Sequence, residues 1–250
     1  PAIETAEVLR FLVGPESFTP DNNYIMGEAP ELGNFFVAAG FNSSGIASAA
    51  GAGRALAEWI VEGHPTMDLW EVDIRRFHEF QNSARYLYSR TVERVGSLYG
   101  MHWPQLQPET ARHARRSPLH DRLAQVGACF GVAAGWERPN WYAPDGVEPK
   151  YEYSFKRQNW FPYSAEEHRA VREVVGLFDQ TSFAKFVLQG RDAEGVLQRI
   201  CANDVAVPTG RVVYTSMLNQ RGGIECDLTV TRTAEDRYLI VTSGATERRD

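Results

Sequence analysis

Two places in this sequence combine residue types and spacing that point to chemistry. Asp227 stands in the middle of "NQRGGIECDLTV", Asn219 to Val230, which otherwise reads as a half-buried strand. Aspartate is a poor strand former, so its position calls for a reason. One reading is a solvated outer face. The other is a carboxylate opposite Tyr214 in a cavity, able to accept a hydrogen bond from an amine or to orient a proton transfer.

The second place is "GFNSSGI", Gly40, Phe41, Asn42, Ser43, Ser44, Gly45 and Ile46. A strand, a glycine turn and a helix opening through Ser43 or Ser44 would leave backbone N–H groups and a positive dipole end facing an anionic or electron-rich ligand. An ordinary capped turn is the plainer reading. No Lys follows Gly45, so the stretch is not a phosphate P-loop. "GAGRAL" falls inside the predicted helix, with Leu56 where a dinucleotide fingerprint wants Gly or Ala, and is rejected. His64, His78, His102, His113, His120 and His168 show no metal spacing and read as surface or cap residues, so no metal is expected. Ser/His/Asp catalysis has no local support.

The elements that must position these residues are readable in outline. "NFFVAA", Asn34 to Ala39, has the form of a buried strand feeding the turn. The helix after it places Ile46, Ala50, Gly53, Ala57 and Ile60 on one face and stops at Gly63 and Pro65. Residues 66–116, with "MDLWEVDIRRFHEFQ" near helical spacing, read as a helical connector.

A second part opens at "SPLHDRLAQVG", with Ser117 as N-cap and Leu119, Leu123 and Val126 inward. "GWERPNWYAPDG" reads as a loop. "SAEEHRAVREVVG" reads as a helix with a capping box from Ser164 to Glu167 and an apolar face of Val171, Val174 and Val175. "FAKFVLQG" follows as a strand, and "RDAEGVLQRIC" as a short helix capped by Asp192. "RVVYTSML", "GIECDLTVTR" and "RYLIVTS" form a β meander. If "NQRG" is a four-residue turn, Leu218 faces Gly223 and Tyr214 faces Asp227. Val213 and Met217 then share an apolar side with Ile224, Cys226, Leu228 and Val230, and Glu225 and Thr229 share the other with Asp227.

Composition excludes several classes. With 250 residues, 43% hydrophobic, the chain can build one large or two small cores. The 26 Lys and Arg are scattered among 32 Asp and Glu, for a net charge of −6, so nucleic acid is not an expected partner. No run approaches the roughly 20 apolar residues of a membrane span, so no membrane role is expected. Cys129, Cys201 and Cys226 lie far apart and read as buried thiols of a reducing compartment. The opening without Met and the close on "TSGATERRD" suggest an internal segment of something longer.

Together the motifs resemble a known family. "GPESFTPDNNYIMGEAPELGNFFVAAGFNSSGI" looks like the C-terminal end of the FAD domain of dimethylglycine and sarcosine dehydrogenases. "SPLHDRL", "GWERPNWY", "VGLFDQTSFAKFVLQG", "CANDV" and "VYTSMLNQRGGIECDLTV" resemble the opening half of the folate domain that follows, shared with the glycine-cleavage aminomethyltransferase. The fold implied is α+β in three parts. Residues 1–63 would end the FAD-dependent oxidoreductase domain, 64–116 would form the mainly helical connector, and 117–250 would open an aminomethyltransferase-like folate domain with an antiparallel sheet.

The resemblance implies an enzyme that uses FAD to take hydride from the N-methyl group of a small amino acid, giving an iminium. Tetrahydrofolate would capture the one-carbon unit, and an electron-transfer flavoprotein or oxygen would accept the electrons. It puts the flavin against Gly40 to Ile46, and folate at Tyr214 and Asp227, with Asp227 as the proton-handling residue. Cys226 and Asp227 stand where aminomethyltransferases often show two acids, and Ser243 where they often carry asparagine. The family's Gly-rich loop and flavin-linking histidine are not in these residues, so the segment alone is expected neither to hold FAD tightly nor to turn over. The compartment implied is the cytoplasm for a bacterial protein and the mitochondrial matrix for a eukaryotic one. Two other readings remain: a non-catalytic regulatory subunit like that of pyruvate dehydrogenase phosphatase, and a folate-dependent aminomethyltransferase.

Overall fold

In the computed structural model, which describes residues 4–249, helices and mainly antiparallel sheets are mixed in an α+β arrangement. Pro1, Ala2 and Ile3 of the expected first segment and Asp250 of the last lie outside the described residues. The chain divides into one unit of Pro1–Phe77 with Arg90–Leu98 and another of His78–Ser89 with Tyr99–Asp250.

In the first unit, β1 (Ile25–Glu28) pairs antiparallel with β2 (Phe36–Ala39), and α1 (Gly45–Glu62) follows the turn. β2 is half-buried to exposed, because it is one strand of a two-stranded hairpin. The buried face of α1 is Ala52, Ala55 and Trp59, not the predicted stripe; Ile46 is fully exposed and Ile60 exposed. Trp59 sets that rotation: its ring lies on β1 at Gly27, where a Cβ would stand 2.6 Å from the indole. Met26, Ala52 and Ala55 centre a small core with Phe41, Leu56 and Val72.

The stretch read as helical after Met67 makes only 3-10 turns, Ile74–Arg76 and Glu79–Asn82. Asp73 is extended and buried, accepts the Arg75 N–H at 2.8 Å and pairs with the Arg75 guanidinium at 2.6 Å. Arg76 reaches Asp21 at 2.7 Å. These bonds hold the backbone out of an α-helix until α2 (Ala84–Ser97).

In the second unit, β3 (Arg115–Arg116), β4 (Ala128–Ala133) and β5 (Trp136–Tyr142) form a sheet of order β3-β5-β4. β5 corrects the expected loop: "WERPNWY" is a strand, and Pro139 is tolerated opposite the register shift at Cys129/Phe130. α3 (His120–Gln125) starts later than predicted, because Ser117 Oγ accepts from the Leu119 N–H and builds a turn first. Its buried residue is His120, while Leu119 and Val126 are exposed. Gly127 ends the helix at φ +86, where a Cβ would collide with the Ala143 carbonyl.

α4 (Phe161–Glu173) begins with Pro162 in its first turn, so Ser164 lies inside the helix and caps nothing. Glu167 accepts the Tyr142 N–H at 2.7 Å, and Val171, Val174 and Val175 are exposed.

β6 (Ala184–Gln189), α5 (Ala193–Ile200), β7 (Val212–Leu218), β8 (Ile224–Ala234) and β9 (Arg237–Thr242) complete the unit. The sheet is antiparallel in the order β6-β9-β8-β7. Ala193 and Leu197 of α5 cover Cys226, Leu228, Val230, Tyr238 and Ile240, which leaves the opposite face of the sheet to the residues between them. Among the described residues none of the three cysteines is in a disulfide; Cys129 and Cys226 are buried, and Cys201 is half-buried.

Candidate functional site

The register of β7 and β8 differs from the predicted one. Tyr214 lies opposite Thr229, Asp227 opposite Ser216, and Leu218 opposite Ile224. The loop is Asn219–Gly223, one residue longer than expected, and Glu225 is the extra residue of a bulge between Cys226 and Ile224. Asn219 builds this end: its Oδ1 accepts from the N–H groups of Arg221 and Gly223, and its Nδ2 donates to Glu225 at 2.6 Å. The bulge turns Ile224 off the apolar side, where it is 70% exposed. Glu225 is held by Asn219 and has no partner on β7.

Tyr214 and Asp227 nevertheless meet. As diagonal neighbours on one face, the Tyr214 hydroxyl donates to Asp227 Oδ2 at 2.7 Å. Both are exposed, so the pair sits on an open sheet face and not in a cavity. The bond from its hydroxyl to the Asp227 carboxylate, and the nearby negative charge, hold the Tyr214 phenol above its ordinary pKa. One Asp227 oxygen is thus oriented by a neutral donor, while the carboxylate stays accessible to an incoming amine N–H.

In the first unit, the seven predicted turn residues divide by role. Asn42 is buried: its Oδ1 accepts the Thr19 N–H at 2.8 Å, and its Nδ2 donates to the Gly40 carbonyl at 2.7 Å. Phe41 stacks on Tyr24 with centroids 4.7 Å apart. Asn42 and Ser43 take left-handed φ values of 49 and 64, a costly conformation that the Asn42 bonds stabilise. Ser43 donates to Glu16 at 2.8 Å, and Ser44 donates to the Phe41 carbonyl, so neither hydroxyl caps the helix. α1 therefore opens with no side-chain cap and no acid in its first turn, beside exposed Ser43, Ser44 and Ile46. Phe41 and Asn42 hold the turn from inside. Its outer surface offers backbone donors and the positive helix end.

A buried ion pair escaped the sequence reading. Arg112 donates to Glu137 at 2.8 and 2.5 Å, and the His113 N–H adds a third bond at 2.8 Å. Burial pushes the Glu137 carboxyl up, but the bonds from Arg112 and the His113 backbone outweigh it and leave it below the usual carboxylate value. "GWERPNWY" reads as a loop in sequence, so nothing local marked its Glu137 as the mid-strand position marked Asp227.

Comparison with known proteins adds three family matches. A model described as the GCVT N-terminal domain matches residues 119–250, the FAD dependent oxidoreductase central domain matches 62–117, and FAD dependent oxidoreductase matches 1–59. The chain is 53% identical over 249 residues to a 4-methylaminobutanoate oxidase (formaldehyde-forming) from Paenarthrobacter nicotinovorans, covering 100% of this chain and 30% of that protein. It is 38% identical to the mouse mitochondrial pyruvate dehydrogenase phosphatase regulatory subunit, covering 96% of this chain and 28% of that one. It is also 38% identical to human mitochondrial sarcosine dehydrogenase, covering 94% and 28%. The chain thus spans about 30% of the length of these relatives.

Proposed function

The chain belongs to the dimethylglycine and sarcosine dehydrogenase family, in which FAD-dependent oxidoreductase and GCVT segments are joined, and we propose that it is part of an enzyme that oxidatively demethylates a small N-methyl amino acid and passes the one-carbon unit to tetrahydrofolate. The observation that carries this reading is the exposed Tyr214–Asp227 pair, a carboxylate oriented by a phenol on a sheet face that α5 leaves open. The three-part division at 63/64 and 116/117 belongs to the same reading, supported by family matches that change over close to those positions.

The residues present fit both cofactors. Bound FAD would supply hydride acceptance, and bound tetrahydrofolate the capture of the one-carbon unit. Gly40 to Ile46 would hold the flavin through the uncapped start of α1, whose N–H groups and dipole favour an electron-rich ring. Gly40 is fitted to the turn, since its φ is +66 and a Cβ would stand 2.7 Å from Thr19. Asp227 would accept hydrogen bonds from the folate amines and hold or move a proton at its Oδ atoms, and Tyr214 would keep that carboxylate aimed.

Sarcosine, dimethylglycine and 4-methylaminobutanoate are the substrates that the relatives' names support. The acceptor is an electron-transfer flavoprotein or oxygen, and the compartment the bacterial cytoplasm or the mitochondrial matrix. Among the described residues no helix is long and apolar enough to cross a membrane. Both proposed sites lie open in this segment, which alone would neither hold FAD tightly nor turn over.

The test is the flavin spectrum of the full-length protein, which one of the three substrates should bleach. A protein with no flavin, or none that any N-methyl amine reduces, would contradict the enzyme. That result would favour the regulatory subunit, a reading supported by 38% identity over 246 residues. An aminomethyltransferase alone would leave the oxidoreductase match over 1–59 without a role.

A further inference from the structure

We propose that His113, His120 and Glu137 form a binding site for a divalent first-row transition ion, with zinc as the probe that reports it. The three come from separate places in the second unit: the loop before β3, the first residue of α3, and β5. Their spacing in sequence is no motif. The fold brings them together because β3 runs parallel to β5, with Arg116 opposite Glu137. One donor atom from each lies within 4.8 Å of the others.

His120 carries the argument. It is only 8% exposed and stacks on Phe130, with centroids 4.2 Å apart. Its Nδ1 lies 3.1 Å from Asp121 Oδ1, and its Nε2 is buried with no hydrogen-bond partner. A carboxylate only accepts, so Nδ1 donates to Asp121, and in the neutral ring the orphaned Nε2 carries the lone pair. That is how ligating imidazoles are commonly held, with one nitrogen fixed by a carboxylate and the other free to bind. A buried nitrogen without a partner is costly unless something occupies its lone pair. His113 meets the His120 ring edge-on at 5.6 Å, and its own ring is exposed.

Glu137 completes the set. It accepts three hydrogen bonds, two from Arg112 and one from the His113 N–H. A carboxylate offers about four lone-pair positions, so one remains. Because Arg112 already neutralises the carboxylate, the site offers two imidazoles and little net negative charge. That suits an imidazole-preferring ion such as zinc and disfavours calcium or magnesium, which need hard oxygen ligands. For bonds of about 2.1 Å, tetrahedral donors stand about 3.4 Å apart. The donors must draw in, and the exposed His113 ring is the one free to turn. A fourth position would be filled by solvent.

The site is independent of the flavin and folate reading. Its test is a titration of tag-free, chelator-treated full-length protein with Zn²⁺ by calorimetry, and with Co²⁺ by visible absorption. The expected result is one saturable ion per chain, with Co²⁺ giving the visible bands of four-coordination. His113→Ala, whose side chain is exposed and whose loss should leave the fold intact, should weaken binding by more than the roughly 10–100-fold typical of losing a group that only hydrogen-bonds a metal ligand. His120→Phe, which preserves the stack on Phe130, should do the same. No saturable binding, or equal binding by wild type and His113→Ala, would overturn the proposal.

Discussion

Glu137 and Asp227 are two acids on strands of the same unit, and they could hardly be treated more differently. Glu137 is 3% exposed, with its carboxylate bound by a guanidinium and a backbone N–H. Asp227 faces outward with one neutral donor, Tyr214. The buried acid accepts three hydrogen bonds and fixes the start of β3 against β5. The open one does nothing comparable for the fold. An acid in a strand therefore carries two meanings, and the number of its donors separates them.

The largest test of that contrast is stability. Glu137→Ala leaves the Arg112 guanidinium without its carboxylate partner, and such a loss costs about 3–5 kcal/mol. It should lower the denaturant midpoint of the second unit sharply, and replacing Arg112 by Met in the same chain should recover part of the loss. Asp227→Asn should leave that midpoint unchanged. An equal fall in both variants would break the distinction.

Acid sensitivity should follow the same division. The Glu137 carboxyl lies below its ordinary value, so its stabilisation is fully present above the usual glutamate pKa and is lost as pH falls through the lowered value. Unfolding measured across that acid window should show a steeper loss in wild type than in Glu137→Gln, whose starting stability is already lower. Asp227→Asn should retain the wild-type acid slope.

A smaller effect belongs to Tyr214. Its phenol is held above the ordinary value by Asp227, so the bond favours the folded chain below the usual tyrosine pKa and fades as pH rises through the raised one. Alkaline titration of tyrosinate absorbance should show one phenol titrating earlier in Asp227→Asn. An unchanged titration would mean that the bond does not persist in solution.

How far the sequence foretold this depends on the element. The β meander and the α+β class were legible because alternation of apolar and polar residues sets the faces of β7, β8 and β9. The Tyr214–Asp227 meeting survived a wrong register for a physical reason. The loop is one residue longer than "NQRG" and Glu225 adds a bulge, so the two errors sum to a two-residue shift, which keeps every side chain of the strand body on its face. Ile224, beyond the bulge, lost its face.

The rotation of α1 was not legible, since a helix of small residues gives little volume signal and Trp59 decides the contact through Gly27. β5 was hidden by Pro139, which a bulge accommodates. The His113, His120 and Glu137 cluster joins a loop, a helix and a strand, and no local spacing could announce it.

As proposed above, Asp227 serves the folate step and not the flavin step. In full-length protein, Asp227→Asn should leave substrate-driven flavin reduction within about twofold of wild type, an energy difference of roughly 0.4 kcal/mol. Methylene-tetrahydrofolate formation should fall and free formaldehyde rise in its place. Slowed flavin reduction with coupling intact would rule out this role for Asp227.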